Sequence, residues 1–555
     1  MSDHFQQAPS ISVMTVSAPF ALRRETLDAI AGRVETVLNG WKLSLLALFC
    51  IFYLAATCYR ASTKLFWFDE IFTVYLSRLP DLKSLWDALA QGVDFNPPLF
   101  YLLTKAGEGL LGAGQVGARL PEIVGVGVFC LCLFRFVSIR SSVLGGLVAM
   151  LFPLVTNAYW YAYEARPHGV VLGCCGIALV CWQQAAALET ERRFWWLVGL
   201  GVALAGALLN HAYAALLFVP LAMGELARLV ILRRIDWPMW VTFLLASSAL
   251  AVVIPLVRLA AAMLTGFGAF SDSIPPSIFL DSYRGNLGPA VIVIAWALAL
   301  LCLPPVARPR HASRLSPAQA GPVQHEIVVL CGLIAIPVFA AVVSLLTKSP
   351  LFDRYSLSFV AGFAGLLGLA AARRPIVGIV ILALLFGQIA VDQINYVRKT
   401  VLLEPSSLIE VSTHKPHFMR RYRELDAFQD KSVPIVVLDD LEFAPMAYYA
   451  PPYMVSRMTY VVWASWDIVG PFYRRLKDCC NSTGTIVNAA DFFASHDKFL
   501  VYGKPRSMER VKLLIDAGAK INMLNMSSDH FLAFVTFQNQ QDSPSSGGDN
   551  QQRPK

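Results

Sequence analysis

Charge is what this sequence has little of. Only 15% of its 555 residues are Asp, Glu, Lys or Arg, against 56% hydrophobic, which excludes a soluble globular chain of this size. Zinc-ligand spacing, a P-loop and a dinucleotide fingerprint are all missing, so none of those cofactors has a motif to sit in. No internal repeat is present, which argues against a transporter built of two related halves. A disulfide framework is missing too: of 11 cysteines, Cys50, Cys58, Cys130, Cys132, Cys174, Cys175, Cys181, Cys302 and Cys331 fall in apolar runs, where cysteine behaves as a small hydrophobe. Cys479 and Cys480 form the one pair in a polar region, and sequence neighbours rarely make an unstrained bridge. The net charge of +8 does not by itself indicate a nucleic-acid partner, because in a membrane protein the side on which charges lie outweighs their sum.

Long apolar runs are what is there. A window of about 20 residues yields eleven of them, near 43–59, 118–136, 142–161, 168–187, 194–209, 212–230, 238–259, 287–305, 326–347, 355–372 and 375–393. No cleavable leader is expected: the first run, Leu43 to Thr57, follows a polar stretch in which Ala21 to Leu38 reads as an amphipathic cytoplasmic helix. With 1–42 inside, the basic clusters Arg135/Arg140, Arg192/Arg193, Arg228/Arg233/Arg234, Arg308/Arg310/Arg314 and Arg373/Arg374 all fall in inner loops. A twelfth apolar run, Asn96 to Gly112, would invert that pattern if it crossed. It is therefore read as a surface-lying helix started by Pro97 and Pro98.

The predicted fold class is a polytopic α-helical membrane protein with a C-terminal α/β extracytoplasmic domain. Residues 43–394 form the membrane domain, with a long outer loop over 60–117. In 395–537, short apolar runs at Val433, Met458, Lys498 and Phe531 alternate with helical patterns such as Met508 to Gly518. The tail 538–555 lacks the apolar content to fold.

The outer connections carry the chemistry. WFDE, Trp67 to Glu70, places two carboxylates just beyond the first span. On a helix, neighbouring positions point about 100° apart, so Asp69 and Glu70 cannot both face one site, and the second is left for water or a cation. The plainer alternative is a helix start, where acids favour the dipole. Other polar residues on that side are Asp94, Glu164, Arg166, His168, His211, Asp353, Arg354 and Tyr355. Arginine suits an anionic headgroup because its planar fork gives two bonds to phosphate and keeps its charge. Arg166 and Arg354 also sit beside Glu164 and Asp353 and could simply pair with them. His168 and His211 read as interfacial hydrogen-bonders more readily than as catalysts.

WFDE, NPPLFYLL, ARLPEIVG, EARPHG and DRYS, in this order over about residues 40–370, resemble the GT-C glycosyltransferases. More narrowly, they resemble bacterial lipid-linked sugar transferases related to protein O-mannosyltransferases and to the lipid A aminoarabinose transferase. The resemblance implies transfer, with inversion, from a polyprenyl-phosphate-linked sugar to a lipid, glycan or protein acceptor on the outer face of a bacterial inner membrane. It implies Asp69 as base or orienting carboxylate and Glu70 as its support or a cation ligand, with a divalent metal ion as an open option. Arg166, Arg354, Tyr355 and His211 would bind the donor phosphate, with Glu164, His168 and Asp94 in support. His168 stands where an aromatic is expected, and Asp353 places an acid beside Arg354. The competing reading is a flippase for a lipid-linked glycan, which predicts ionisable groups or broken helices near the bilayer midplane.

Overall fold

The computed structural model describes residues 18–187, 191–265, 277–302, 324–347, 352–402, 425, 427–463, 467, 469–527 and 530–537. The basic cluster at 308–314, the start of the loop before Asp353, and the tail 538–555 lie outside them.

Among the described residues, six helices are long and apolar enough to cross a membrane: Lys42–Thr63, Gln115–Arg140, His168–Ala186, Arg193–Asn210, Ala212–Leu232 and Pro375–Thr400. Four more of the expected spans are bent pairs, Val143–Val155 with Asn157–Tyr163, Trp237–Ser247 with Leu250–Met263, Leu280–Leu287 with Ala290–Leu301, and Gln324–Ile334 with Ile336–Leu346. The eleventh is the shorter apolar helix Phe359–Arg373. The sharpest bend, 99°, falls where Gly288 takes a φ of 48° and Pro289 follows, since glycine permits that backbone and proline cannot continue the ladder. Pro337 stands at one of the other breaks, and Pro153 lies where the helix Val143–Leu151 tightens into a 3-10 turn ahead of another.

Small residues set the spacing at the centre of the bundle. Gly125 and Gly169 let the helices Gln115–Arg140 and His168–Ala186 touch backbone to backbone. A Cβ on Gly125 would stand 2.4 Å from the Gly169 carbonyl oxygen. Between the first two spans run the helices Phe68–Ser77, Leu82–Ala90 and Pro98–Leu111. The last of these begins after Pro97, as its sequence predicts, and is not long enough to count as a span.

The C-terminal region folds into a six-stranded sheet with strands β1 (Ile435–Val437), β2 (Met458–Val462), β3 (Thr485–Asn488), β4 (Lys498–Gly503), β5 (Ala519–Met526) and β6 (Phe531–Phe537), in the order β3-β2-β1-β4-β6-β5. β3, β2, β1 and β4 are mutually parallel, while β6 pairs antiparallel with both β4 and β5. The four strands legible as apolar runs are the four central ones; β3 and β5, at the edges, are half exposed and carry no such run. The helix of the last span continues to Leu402, past the expected boundary at 394. Cys479 and Cys480, not expected to bridge, are joined as a vicinal disulfide at the end of the helix Val469–Cys480.

The sheet domain docks on the Phe68–Ser77 helix. Tyr449 Oη accepts from the Phe66 amide at 2.7 Å, and Tyr473 packs its ring 5.7 Å from Phe68 and 6.0 Å from Phe72. One apolar core therefore runs from the first loop into the sheet domain.

Candidate active site

The chain leaves the first span at Thr63 and re-enters a helix at Phe68, with Asp69 and Glu70 in its first turn, so the helix-start reading holds. It does not compete with the functional one, because the two carboxylates diverge. Glu70 turns inward and is fully buried. Its Oε1 accepts from Arg119 Nε at 2.7 Å and from the Ala165 amide at 2.6 Å; its Oε2 accepts from Arg119 Nη2 at 2.8 Å and from the Trp67 amide at 3.3 Å. The cation that the sequence leaves Glu70 to find is thus the Arg119 guanidinium of ARLPEIVG. Burial opposes the charged form of Glu70, but Arg119 and then Lys64 outweigh it and hold the carboxyl below the usual range. Glu70 touches no open space.

Asp69 faces the other way, into a cleft of about 440 Å³ between the membrane domain and the sheet domain. Arg166 and Arg354 converge on it. Arg166 Nε lies 3.8 Å and Arg354 Nη2 3.6 Å from Asp69 Oδ2, inside ion-pair range and beyond hydrogen-bond reach. Each guanidinium keeps a buried Nε with no hydrogen-bond partner. Asp94 secures Arg166 through a 3.0 Å contact to Nη1, and burial is again outweighed, by Arg166, so that the Asp94 carboxyl stays below its usual range. The neighbouring acids do not consume the arginines. Glu164 is taken by Trp67 Nε1 at 2.7 Å and Lys64 Nζ at 3.2 Å, while Arg354 pairs with Asp69 and not with Asp353.

Beside this centre stands a stack of rings. His211 lies 5.1 Å from His168 and 5.0 Å from Tyr355, which stacks on Tyr213 at 4.4 Å. His211 Nδ1 accepts the Tyr213 amide at 3.3 Å. Burial, then Arg166 and Arg354, push the His211 imidazole down to about 3, so it is a neutral hydrogen-bonding ring. Burial pushes Tyr355 up to about 12, keeping its hydroxyl protonated. His168, 5% exposed, packs edge-on against Tyr161.

All nine expected site residues thus gather at one end of the bundle, with Asp69, Asp94 and Arg166 lining the cleft itself. Arg119, Lys64 and Glu122 were missed. Glu122 accepts the Val170 amide at 2.8 Å and fixes the start of the helix after EARPHG. Arg119 and Glu122 sit within ARLPEIVG, where a charged pair inside an apolar run was the available signal. Asp440, Asp467 and Arg510, from the sheet domain, also line the cleft and had no local signal. Among the described residues no three His, Cys, Asp or Glu side chains are grouped to hold a metal ion; of the cleft carboxylates, Asp69, Asp94 and Asp440 each face a guanidinium group, while Asp467 lies against the Gly470 amide and the Tyr460 hydroxyl. No step is routed through a divalent ion.

The family model for dolichyl-phosphate-mannose-protein mannosyltransferases matches residues 96–258, a stretch that holds Arg119, Arg166 and His211 but neither Asp69 nor Arg354. No curated protein matches the sequence. Two crystal structures of ArnT from Cupriavidus metallidurans share the fold, one bound to undecaprenyl phosphate and one in the apo state. Each is 15% identical with a TM-score of 0.50, and the alignments cover 89% and 90% of this chain and 98% of theirs. The fold is ArnT-like and of the GT-C type, as the five motifs imply.

Proposed function

We propose that the protein is an inverting glycosyltransferase. It moves a sugar from a polyprenyl-phosphate-linked donor to an acceptor at the outer face of the membrane. The observation that carries this reading is the convergence of two guanidinium groups, each with a spare buried donor, on one carboxylate they do not bond. Such a gap suits a phosphate on the arginine side and a hydroxyl on the carboxylate side. The fold shared with an undecaprenyl-phosphate-bound protein supports the donor class.

In this reading the donor's phosphate takes the free edges of Arg166 and Arg354, and Tyr355 and neutral His211 flank it. The acceptor hydroxyl lies against Asp69. Its oxygen attacks the anomeric carbon from the face opposite the phosphate and its proton passes to Asp69. The bond from the anomeric carbon to the phosphate oxygen breaks, and its electron pair leaves with polyprenyl phosphate, whose growing charge the arginines stabilise. One displacement inverts the configuration. The sequence pattern of Arg clusters, which fall in alternate loops away from those that carry Asp69, Arg166 and Arg354, supports the outer face.

The test is release of undecaprenyl phosphate from a panel of undecaprenyl-phosphate sugars by purified protein in lipid, with crude envelope extract as acceptor source. Release abolished by Asp69→Asn is expected. No release from any donor, in folded protein, would overturn the reading and favour movement of intact lipid-linked glycan.

A further inference from the structure

The cleft has two walls, and the proposed mechanism uses one of them. The opposite wall belongs to the sheet domain: Asp440, Leu441 and Asp467 follow or flank β1 and β2, Phe472 comes from the helix Val469–Cys480, and Arg510 from the helix Met508–Asp516. Asp467 is 2% exposed, receives the Gly470 amide at 2.9 Å, and lies 3.0 Å from the Tyr460 hydroxyl. The same hydroxyl donates to Asp440 Oδ1 at 2.6 Å, and one proton cannot serve two carboxylates. Arg510 pairs with Asp440, so the cation that the sheet domain brings to the cleft lining is already matched by an acid. Phe472 meets Phe95, from the first loop, edge to face at 5.7 Å across the seam between the domains. Arg475 stacks on Phe472 but does not line the cleft.

Carboxylate acceptors, one with competition for its proton, beside paired aromatic rings and no spare positive charge suit a polyol with an apolar ring face. They do not suit a second anion. The cleft volume, about 440 Å³, is in the range of small-ligand sites. Building on the transferase reading, we infer that this wall is the acceptor subsite. It takes an uncharged sugar residue whose hydroxyls bond Asp440 and Asp467 and whose ring lies on Phe472, with one hydroxyl reaching across to Asp69. The acceptor class is a neutral glycan or glycoside, and the sheet domain carries its specificity.

The experiment uses the full chain in lipid nanodiscs without donor. Saturation-transfer NMR titrations are run with the methyl glycosides of mannobiose, maltose and N,N′-diacetylchitobiose, and with methyl glucoside 6-phosphate. Undecaprenyl phosphate binding is measured on the same samples. At least one neutral disaccharide is expected to bind, and both Phe472→Ala and Asp467→Asn are expected to weaken it about fivefold or more, the loss of an ordinary contact. Undecaprenyl phosphate binding is expected to persist in both variants. Phe472 is half-buried, so its truncation reads the subsite even if Asp467→Asn fails to fold. Absence of binding by every neutral glycoside, equal affinity in Phe472→Ala, or preference for the sugar phosphate would overturn the inference. Glycoside binding in a protein that neither binds undecaprenyl phosphate nor releases it would uphold the subsite and defeat the transferase reading.

Discussion

Asp69 and Glu70 are adjacent in sequence, carry the same functional group and each face arginine, yet their surroundings are opposites. Around Glu70 every acceptor position is filled at 2.6 to 3.3 Å. Arg119 completes the closure by donating to the carbonyls of Ala61 and Lys64 at 2.6 and 2.7 Å and of Leu65 at 3.2 Å. That pair ties the end of the first span, the loop after it and the turn at Ala165 into one unit. Around the Asp69 carboxylate the guanidinium nitrogens stand off at 3.6 and 3.8 Å, Arg166 Nη1 reaching only the Asp69 backbone carbonyl at 3.4 Å, and both arginines hold donors in reserve. A saturated buried pair can only hold structure, whereas an unsaturated one leaves bonding capacity for a ligand. The difference between neighbours teaches that satisfaction of hydrogen bonds, more than charge or burial, separates the scaffold from the site.

The strongest way to break this comparison is to neutralise each carboxylate in turn. Asp69→Asn is expected to lower turnover by about 10² to 10⁴, the usual contribution of a general base, while thermal stability and undecaprenyl phosphate binding stay near wild type. Phosphate release and thermal unfolding on the same preparation give both numbers. Glu70→Gln is expected to do the reverse, costing about 3–5 kcal/mol of stability because Arg119 is left buried without its counter-charge. Combining it with Arg119→Met should recover part of that loss. Since the folded protein holds the Glu70 carboxyl below its ordinary range, the pair contributes stability at neutral pH. That contribution fades as pH falls below the range where an unfolded glutamate ionises. Glu70→Gln should flatten this acid limb in unfolding measurements across pH. An Asp69→Asn protein that melted like Glu70→Gln would erase the distinction between the two.

Much of the scaffold was legible because its signals are local. The spans follow from apolar runs, the Pro98–Leu111 helix from its prolines, and the divergence of Asp69 from Glu70 from helix geometry alone. The bends near Pro153 and at Gly288 and Pro337 could be suspected from residue type but not measured from it. The partners of the charges were not legible. Proximity in sequence suggested Arg166 with Glu164 and Arg354 with Asp353, whereas the fold pairs Arg166 with Asp94, 72 positions away, and brings Arg354 to Asp69. Arg119 stands 49 positions from Glu70. The far wall of the cleft was hidden for the same reason, since nothing near Asp467 or Phe472 says that they face the first loop.

A finer probe compares the two arginines of the open pair. Arg166 is anchored by Asp94, whereas Arg354 is held at the site through Asp69 and by stacking on Phe352 at 4.6 Å and on Tyr355 at 5.8 Å. Arg354→Ala should therefore weaken undecaprenyl phosphate binding by about tenfold or more, in line with a lost charge-assisted hydrogen bond, and leave folding intact. Arg166→Ala should add a structural loss, because the half-buried Asp94 would be left without a cation. Equal, purely destabilising effects from both would mean that the arginines serve the fold and not a ligand.

The smallest effect is expected at His211, and it tests whether the ring stack belongs with the closed or the open half of the comparison. The imidazole is held neutral, down at about 3, by burial and then by the charges of Arg166 and Arg354. A ring that stays neutral cannot be the group that titrates between about pH 5.5 and 8, where an unperturbed histidine would. The pH profile of turnover should then keep its shape in His211→Gln, and donor affinity should change by less than about threefold, as for one neutral hydrogen bond. Stability responds differently. An unfolded histidine gains a proton below about pH 6.5 that the folded ring refuses, so wild-type stability should fall as pH drops through that value, and His211→Gln should remove part of the fall. A pH–rate limb that disappears with His211 would show that the ring takes up protons during turnover, and would move it from the packed stack into the reacting centre.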